Sequence, residues 1–201
     1  MKTILAFGDS NTWGLVPGSN PHVRYGDDVR WTGILQKRLE DTRVVEEGLC
    51  GRTTIFEDPY RPGRRALSVL SFILESQAPF DQAILMLGTN DCKSVYHSSP
   101  TEIAAGMEQC LVEVEKYLSP KDILLVSPVL LGEKVFEKDL DFDRTSISIC
   151  KELKSEYEKI AKRHGTKFLA ASDVVKVDEA DDEHLNETGH SIFANVIYDL
   201  L

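Results

Sequence analysis

Ser10 is the residue whose setting raises a chemical question. In "ILAFGDSNTWG", residues 4–14, an apolar run stops on three small or polar residues and leaves a hydroxyl at what reads as a strand's carboxyl end. A serine hydroxyl is unreactive near neutral pH unless a base takes its proton. The chain has five histidines. His22 and His97 fall in loops by pattern, His164 reads as a charge closing a helix, and His190 falls within the last helix. His184 stands in a loop with Asp181 three residues upstream, in "DDEHLNETGH". That spacing fits one turn, so the Asp181 carboxylate would take one ring nitrogen and leave the other for Ser10. Acyl transfer also needs donors for an oxyanion. The side-chain amide of Asn90 in "MLGTNDCK", the backbone N–H of Gly51 in "GLCGRTT" and that of Ser10 are the candidates. Each of these segments, taken alone, is also an ordinary turn.

What must position these residues is an alternation of short and long apolar segments. Residues 3–7, 43–45, 82–87, 123–126 and 167–170 are short, mostly continuous apolar runs, as parallel strands covered on both faces should be. Between and after them lie stretches with helical spacing. Their apolar faces are marked by Trp31, Leu35 and Leu39; by Ala66, Leu70 and Leu74; by Ile103, Met107, Leu111 and Val114; by Leu153, Tyr157 and Ile160; and by Phe193, Val196 and Ile197. Ser99-Pro100 with Glu102 opens the third, and Lys162 to Gly165 closes the fourth. The pattern predicts a single α/β domain over residues 1–201, a flavodoxin-like α/β/α three-layer fold around a five-stranded, mostly parallel sheet. Ligands of such sheets sit beyond the carboxyl ends of the strands. The candidate residues follow strands there. Residues 16–28, 56–63 and 129–143 read as irregular; the last is apolar and then acidic, a solvated loop or else a lid or oligomer contact.

Composition narrows the partners. The net charge of −10 repels phosphate backbones and anionic lipid heads, so neither nucleic acid nor a membrane surface is expected. The chain shows neither G-x-G-x-x-G nor a Walker lysine, so no nucleotide cofactor is expected. Cys50, Cys92, Cys110 and Cys150 are scattered without metal-ligand spacing, which suggests free thiols, no structural metal and a cytoplasmic location. Cys92, just after Asn90, is expected to face the site and to make it sensitive to thiol reagents. Asp9 and Asp91 are read as turn-fixing carboxylates, Trp31 as a core anchor.

Gly-Asp-Ser, a glycine block, Gly-x-Asn-Asp and Asp-x-x-His occur in that order along the chain. This four-block pattern resembles the SGNH (GDSL-type) hydrolases over essentially the whole sequence. "FGDSNTWGLVPG", "DVRWTGIL" and "VVEEGLCGRTT" are further similar to the mycobacterial arylesterase/acyltransferase branch. The resemblance implies a serine esterase with Ser10 as nucleophile, His184 as base and Asp181 orienting it. It implies an oxyanion hole of Ser10, Gly51 and Asn90, no cofactor, and a small ester as substrate, with water or an alcohol resolving an acyl-enzyme. Asn11 stands where the family signature has Leu, which puts the acyl pocket in question. Asn11, at that position, and Trp13, three residues from Ser10, are the expected substrate-binding residues. Homo-oligomerisation is left open.

Two other readings start from the same residues. Asp9, Asn90, Asp91 and His184 carry ligand atoms for a two-metal phosphoesterase, although the chain lacks the Asp-x-His and Gly-Asn-His blocks of those enzymes. A catalytically silent small-ligand-binding module on the same sheet is the other.

Overall fold

In the computed structural model, which describes residues 1–20 and 22–201 and so leaves Pro21 of the 16–28 segment outside the described residues, five strands form one sheet. They are β1 (Lys2–Gly8), β2 (Thr42–Gly48), β3 (Gln82–Met86), β4 (Ile123–Ser127) and β5 (Lys167–Ala170). The order is β2-β1-β3-β4-β5 and every pairing is parallel. Side chains alternate across a strand, which splits the apolar residues between two layers. Leu5, Phe7, Leu85, Ile123 and Leu125 face one cluster with helices α3 (Ala66–Gln77), α4 (Pro100–Glu115) and α6 (Arg144–His164). Ile4, Ala6, Ile84, Met86, Leu124 and Val126 face the other, with α2 (Trp31–Arg38) and α7 (Glu187–Leu200).

The helix boundaries follow local chemistry. Ser99 accepts from the Glu102 N–H while the Glu102 carboxylate receives the Ser99 N–H, a capping box at the start of α4. Asp143 caps α6 through the N–H groups of Thr145 and Ser146, and Gly165 ends it at φ +78°. Among the described residues no helix is long and apolar enough to cross a membrane.

Residues 129–143 are not a solvated loop. Val129, Leu131, Val135 and Phe142 are buried, and a short α5 (Val135–Lys138) forms within the segment. It is tied to the loop before His184: the Gly132 N–H donates to the Asp182 carbonyl at 2.8 Å, and Lys138 pairs with the Asp182 carboxylate at 3.0 Å. Four apolar side chains spaced through fifteen residues suffice to seat it against the core.

Strand order reverses between β1 and β3, since β2 lies outside β1 while β3 to β5 run the other way. The crevice at that reversal is where an open parallel sheet leaves room for a ligand. Tyr157 on α6 fixes the turn leaving β3. Its hydroxyl donates to the Leu87 carbonyl at 3.0 Å, and a Cβ at Gly88 (φ +124°) would stand 2.7 Å from that hydroxyl. Tyr157→Phe strands the buried carbonyl and should cost about 1–3 kcal/mol of stability, measured by urea unfolding. An unchanged midpoint would show that the hydroxyl does not hold this turn.

Candidate active site

The residues after β1 make a tight turn. A Cβ at Gly8 would stand 2.1 Å from the Thr12 hydroxyl and 2.8 Å from the Met86 carbonyl, so no other residue fits there unchanged. The Asp9 carboxylate accepts from the Asn11 N–H at 3.0 Å, capping the single-turn helix α1 (Ser10–Trp13). Gly14, left-handed at φ +85°, closes it. From α2 the Trp31 indole donates to the Asn11 carbonyl at 3.1 Å. Ser10 is buried and its position is fixed from both sides.

The imidazole of His184 comes from the other end of the chain. Its Nε2 lies 2.8 Å from the Ser10 Oγ and its Nδ1 lies 2.8 Å from the Asp181 Oδ2. The carboxylate fixes the proton on Nδ1, which leaves Nε2 of the neutral ring free to accept from Ser10. Asp181 accepts three further bonds, from the N–H groups of Gly18, Glu183 and His184 at 2.8, 3.0 and 2.9 Å. Burial pushes this carboxyl up, but the His184 hydrogen bond and charge and the backbone donors outweigh it and bring it to about 2. For His184, burial pulls the imidazole down, yet the Glu183 carboxylate, Asp181 and Asp9 together lift it to about 9.

Asn90, in a 3₁₀ turn after β3 (Asn90–Cys92), donates one amide hydrogen to the Arg52 carbonyl at 3.2 Å, and no described residue accepts the other. Gly51 sits at φ +80°, where a Cβ would strike the Arg61 guanidinium. Among the described residues, no group accepts from the N–H of Ser10 or of Gly51. Ser10, Gly51, Asn90 and His184 line one cavity of ≈ 160 Å³.

Other expected residues are placed differently. Asn11 is buried and does not join them in lining the cavity; its amide donates to the Glu183 carbonyl at 3.2 Å and accepts from the Leu185 N–H at 2.9 Å. Trp13 is absent from the lining as well, with the Arg24 guanidinium 5.4 Å above its ring. Both were expected against the acyl group, and both are turned away by nearer partners. Cys92 does not face the site either: it is buried, and its thiol contacts the Gly88 carbonyl. Cys50 is the cysteine on the cavity wall, where burial pushes the thiol up to about 11, far from a reactive thiolate. His190 is a core histidine, with Trp31 N–H donating to Nδ1 at 3.4 Å.

The carboxylates proposed above for turns take that part. Asp91 accepts from the Thr54 N–H at 2.8 Å and the Thr54 hydroxyl at 2.5 Å, joining the turn after β3 to the strand-two loop. Spent this way, Asp91 does not turn toward His184. Among the described residues, no group of three or more His, Cys, Asp and Glu is arranged to hold a metal ion.

Sequence reasoning missed the charged wall. Arg61, Lys93, Asp139, Asp141 and Glu183 all line the cavity, and Lys93 pairs with Asp141 at 2.7 Å. Arg52 is buried beneath the site, its guanidinium 4.2 Å over the Phe7 ring and 2.8 Å from the Gly8 carbonyl. The position of Glu183 inside Asp-x-x-His was the one available signal.

Comparison with known proteins decides the family. The model of the GDSL-like lipase/acylhydrolase family matches residues 6–192. The chain belongs to that family. This GDSL-like acylhydrolase is a carboxylic ester hydrolase by family and by fold. It is similar to Est24, a carbohydrate acetylesterase from Sinorhizobium meliloti, at 36% identity and TM-score 0.91 over 99% of this chain and 97% of that one. The native M. smegmatis aryl esterase matches at 36% identity and TM-score 0.88, with both chains wholly covered. A second carbohydrate acetylesterase family member from S. meliloti matches at 28% and 0.88, over 100% of this chain and 97% of that one. No curated protein matches the sequence.

If His184 is the base it must be neutral to take a proton, so with its imidazole held up to about 9 the acylhydrolase's kcat/KM on a neutral ester should climb with pH through that value. Stability should run the other way. From the ordinary 6.5 up to about 9, the folded chain keeps a proton that the unfolded chain has lost, so stability falls as pH rises across this window. A pH-rate profile and urea melts from pH 6 to 10 check both; a rate already level at pH 7 would show an unperturbed imidazole.

Proposed function

We propose that this protein is a serine esterase that cleaves short-chain acyl esters through a Ser10–His184–Asp181 triad and an acyl-enzyme. The observation that carries the reading is the 2.8 Å separation of the Ser10 Oγ and the His184 Nε2, backed by Asp181 on the far nitrogen. His184 takes the hydroxyl proton as Ser10 attacks the ester carbonyl. The oxyanion then meets the N–H groups of Ser10 and Gly51 and the free amide hydrogen of Asn90. His184 returns its proton to the departing alcohol, and water enters to release the acid. An alcohol in place of water would make the same acyl-enzyme an acyl donor.

The size of the cavity supports a small acyl group, since ≈ 160 Å³ falls below the ~300–1,000 Å³ of pockets that hold drug-sized ligands. Its charged wall suits a polar alcohol, in keeping with the carbohydrate acetylesterases among the similar structures. Four free cysteines favour a reducing, cytoplasmic setting.

Ser10→Ala should abolish hydrolysis of p-nitrophenyl acetate with the fold retained, and Asn90→Ala should lower kcat by roughly 10²–10³. Full turnover by Ser10→Ala, or loss of activity on EDTA treatment, would overturn the triad. In a series of p-nitrophenyl esters from acetate to laurate, kcat/KM should peak at acetate or butyrate. A maximum at laurate would refute the small acyl site.

A further inference from the structure

Glu183 is 7% exposed and lines the cavity, and among the described residues its side chain has no hydrogen-bond partner. Its backbone is fully used: the N–H donates to the Asp181 Oδ1 at 3.0 Å and the carbonyl accepts from Asn11. Its carboxylate, by contrast, accepts no hydrogen bond from any described residue. The nearest basic atom is the His184 Nε2 at 3.7 Å, beyond hydrogen-bond length and on the side of the ring that faces Ser10. The Glu183 carboxylate oxygens are not among the sealed, unpartnered atoms of the core but open onto the cavity, where water holds them until a ligand donor takes its place.

The place of that carboxylate says what it can meet. The departing ester oxygen must come within about 3 Å of Nε2 to receive its proton. A carboxylate oxygen 3.7 Å from the same nitrogen is therefore a neighbour of the alcohol part of the substrate. A hydroxyl on the carbon next to the ester-bearing carbon spans that gap. Asp139 and Asp141 share the cavity with Arg61 and Lys93, and Lys93 already pairs with Asp141, so the wall offers a neutral polyhydroxyl alcohol both donors and acceptors.

Building on the esterase reading above, we propose that Glu183 is a specificity residue, which binds a hydroxyl vicinal to the ester oxygen and so selects monoacyl esters of 1,2-diols over esters of simple alcohols. An alcohol without that donor strips water from the carboxylate and replaces it with nothing. A site built for a hydroxyl discriminates strongly against an analogue that lacks one, because its own polar group is then left unpaired.

The test compares 2-hydroxyethyl acetate with 2-methoxyethyl acetate, which has a similar inductive pull and no donor. Rates are followed by acid release at the plateau pH of each variant, so that any change in His184 titration drops out. The wild type should favour the hydroxyl ester in kcat/KM by roughly tenfold to a hundredfold, the range of a hydrogen bond to a charged group. Glu183→Leu should bring the ratio to about one, and Glu183→Gln, which keeps shape and loses charge, should fall between. Should the leucine variant fail to fold, the glutamine variant alone decides. A wild-type ratio near one, or a preference that survives in the variants, overturns the assignment of Glu183 while leaving the esterase reading intact. Absence of turnover on both esters by the wild type would instead sink the esterase reading and this proposal with it.

Discussion

The contact between Ser10 and His184 joins residues 174 positions apart, and neither local segment could hold it alone. One buried side chain makes it possible. Asn11, next to the serine, reaches the Glu183 carbonyl and the Leu185 N–H on either side of the histidine, so the two halves of the site are bolted one residue away from the reacting atoms on both strands of chain. The family signature carries Leu at this place. An aliphatic side chain could not satisfy a buried carbonyl and a buried N–H, and leaving both unmet would cost more than the apolar contact gains. The polar residue that had suggested an unusual acyl pocket is instead the fastener that sets the distance between Ser10 and His184.

That end of the sheet gathers charge that the rest of the core avoids. Asp9, Asp91, Glu183, His184 and Arg52 are all buried. Burial raises Asp9 to about 6 and Asp91 to about 7, while Arg52, desolvated over Phe7, comes down to about 10. Such groups are tolerated because backbone donors and carbonyls meet them: Asn11 N–H for Asp9, Thr54 for Asp91, and the Gly8 and Glu47 carbonyls for Arg52. Clusters of displaced titrations of this kind are expected where a fold holds chemistry. Here Asp9, Asp91 and Arg52 set the strand ends in place, while His184 and Glu183 face the cavity.

Much of this was legible in the residue order. Continuous apolar runs gave the parallel strands because both faces of the sheet are covered, and Ser99 and Gly165 marked helix ends through caps that act within a few residues. Ser10, Asp181, His184, Asn90 and Gly51 were picked out by their order and by the chemistry they share; the fold gathers Ser10, Gly51, Asn90 and His184 at one cavity, with Asp181 on the other ring nitrogen. What failed were statements about direction. Whether Asn11, Trp13 or Cys92 looks into a cavity depends on which partner reaches it first, and the sequence does not say which way a side chain turns toward such partners (Leu185, Arg24, Gly88). Residues 129–143 were misread because their acidic half masked four apolar side chains whose burial seats the segment.

The two carboxylates flanking His184 show how backbone geometry divides one residue chemistry into two parts. Asp181 is short, and its oxygens fall within reach of the N–H groups two and three residues ahead, the usual fate of an aspartate opening a turn. The ring nitrogen joins a carboxylate that the turn has already immobilised, so Asp181 orients His184 without needing space of its own. Glu183 carries one more methylene and emerges from the middle of that same turn, where its own N–H and carbonyl are already engaged. Its carboxylate is carried past the local donors to the cavity side of the imidazole. One group is consumed by the fold and the other is left for whatever enters. That asymmetry follows from chain length and position within a four-residue turn, and it puts a fixed orienting charge on Nδ1 and an unfilled acceptor beside Nε2.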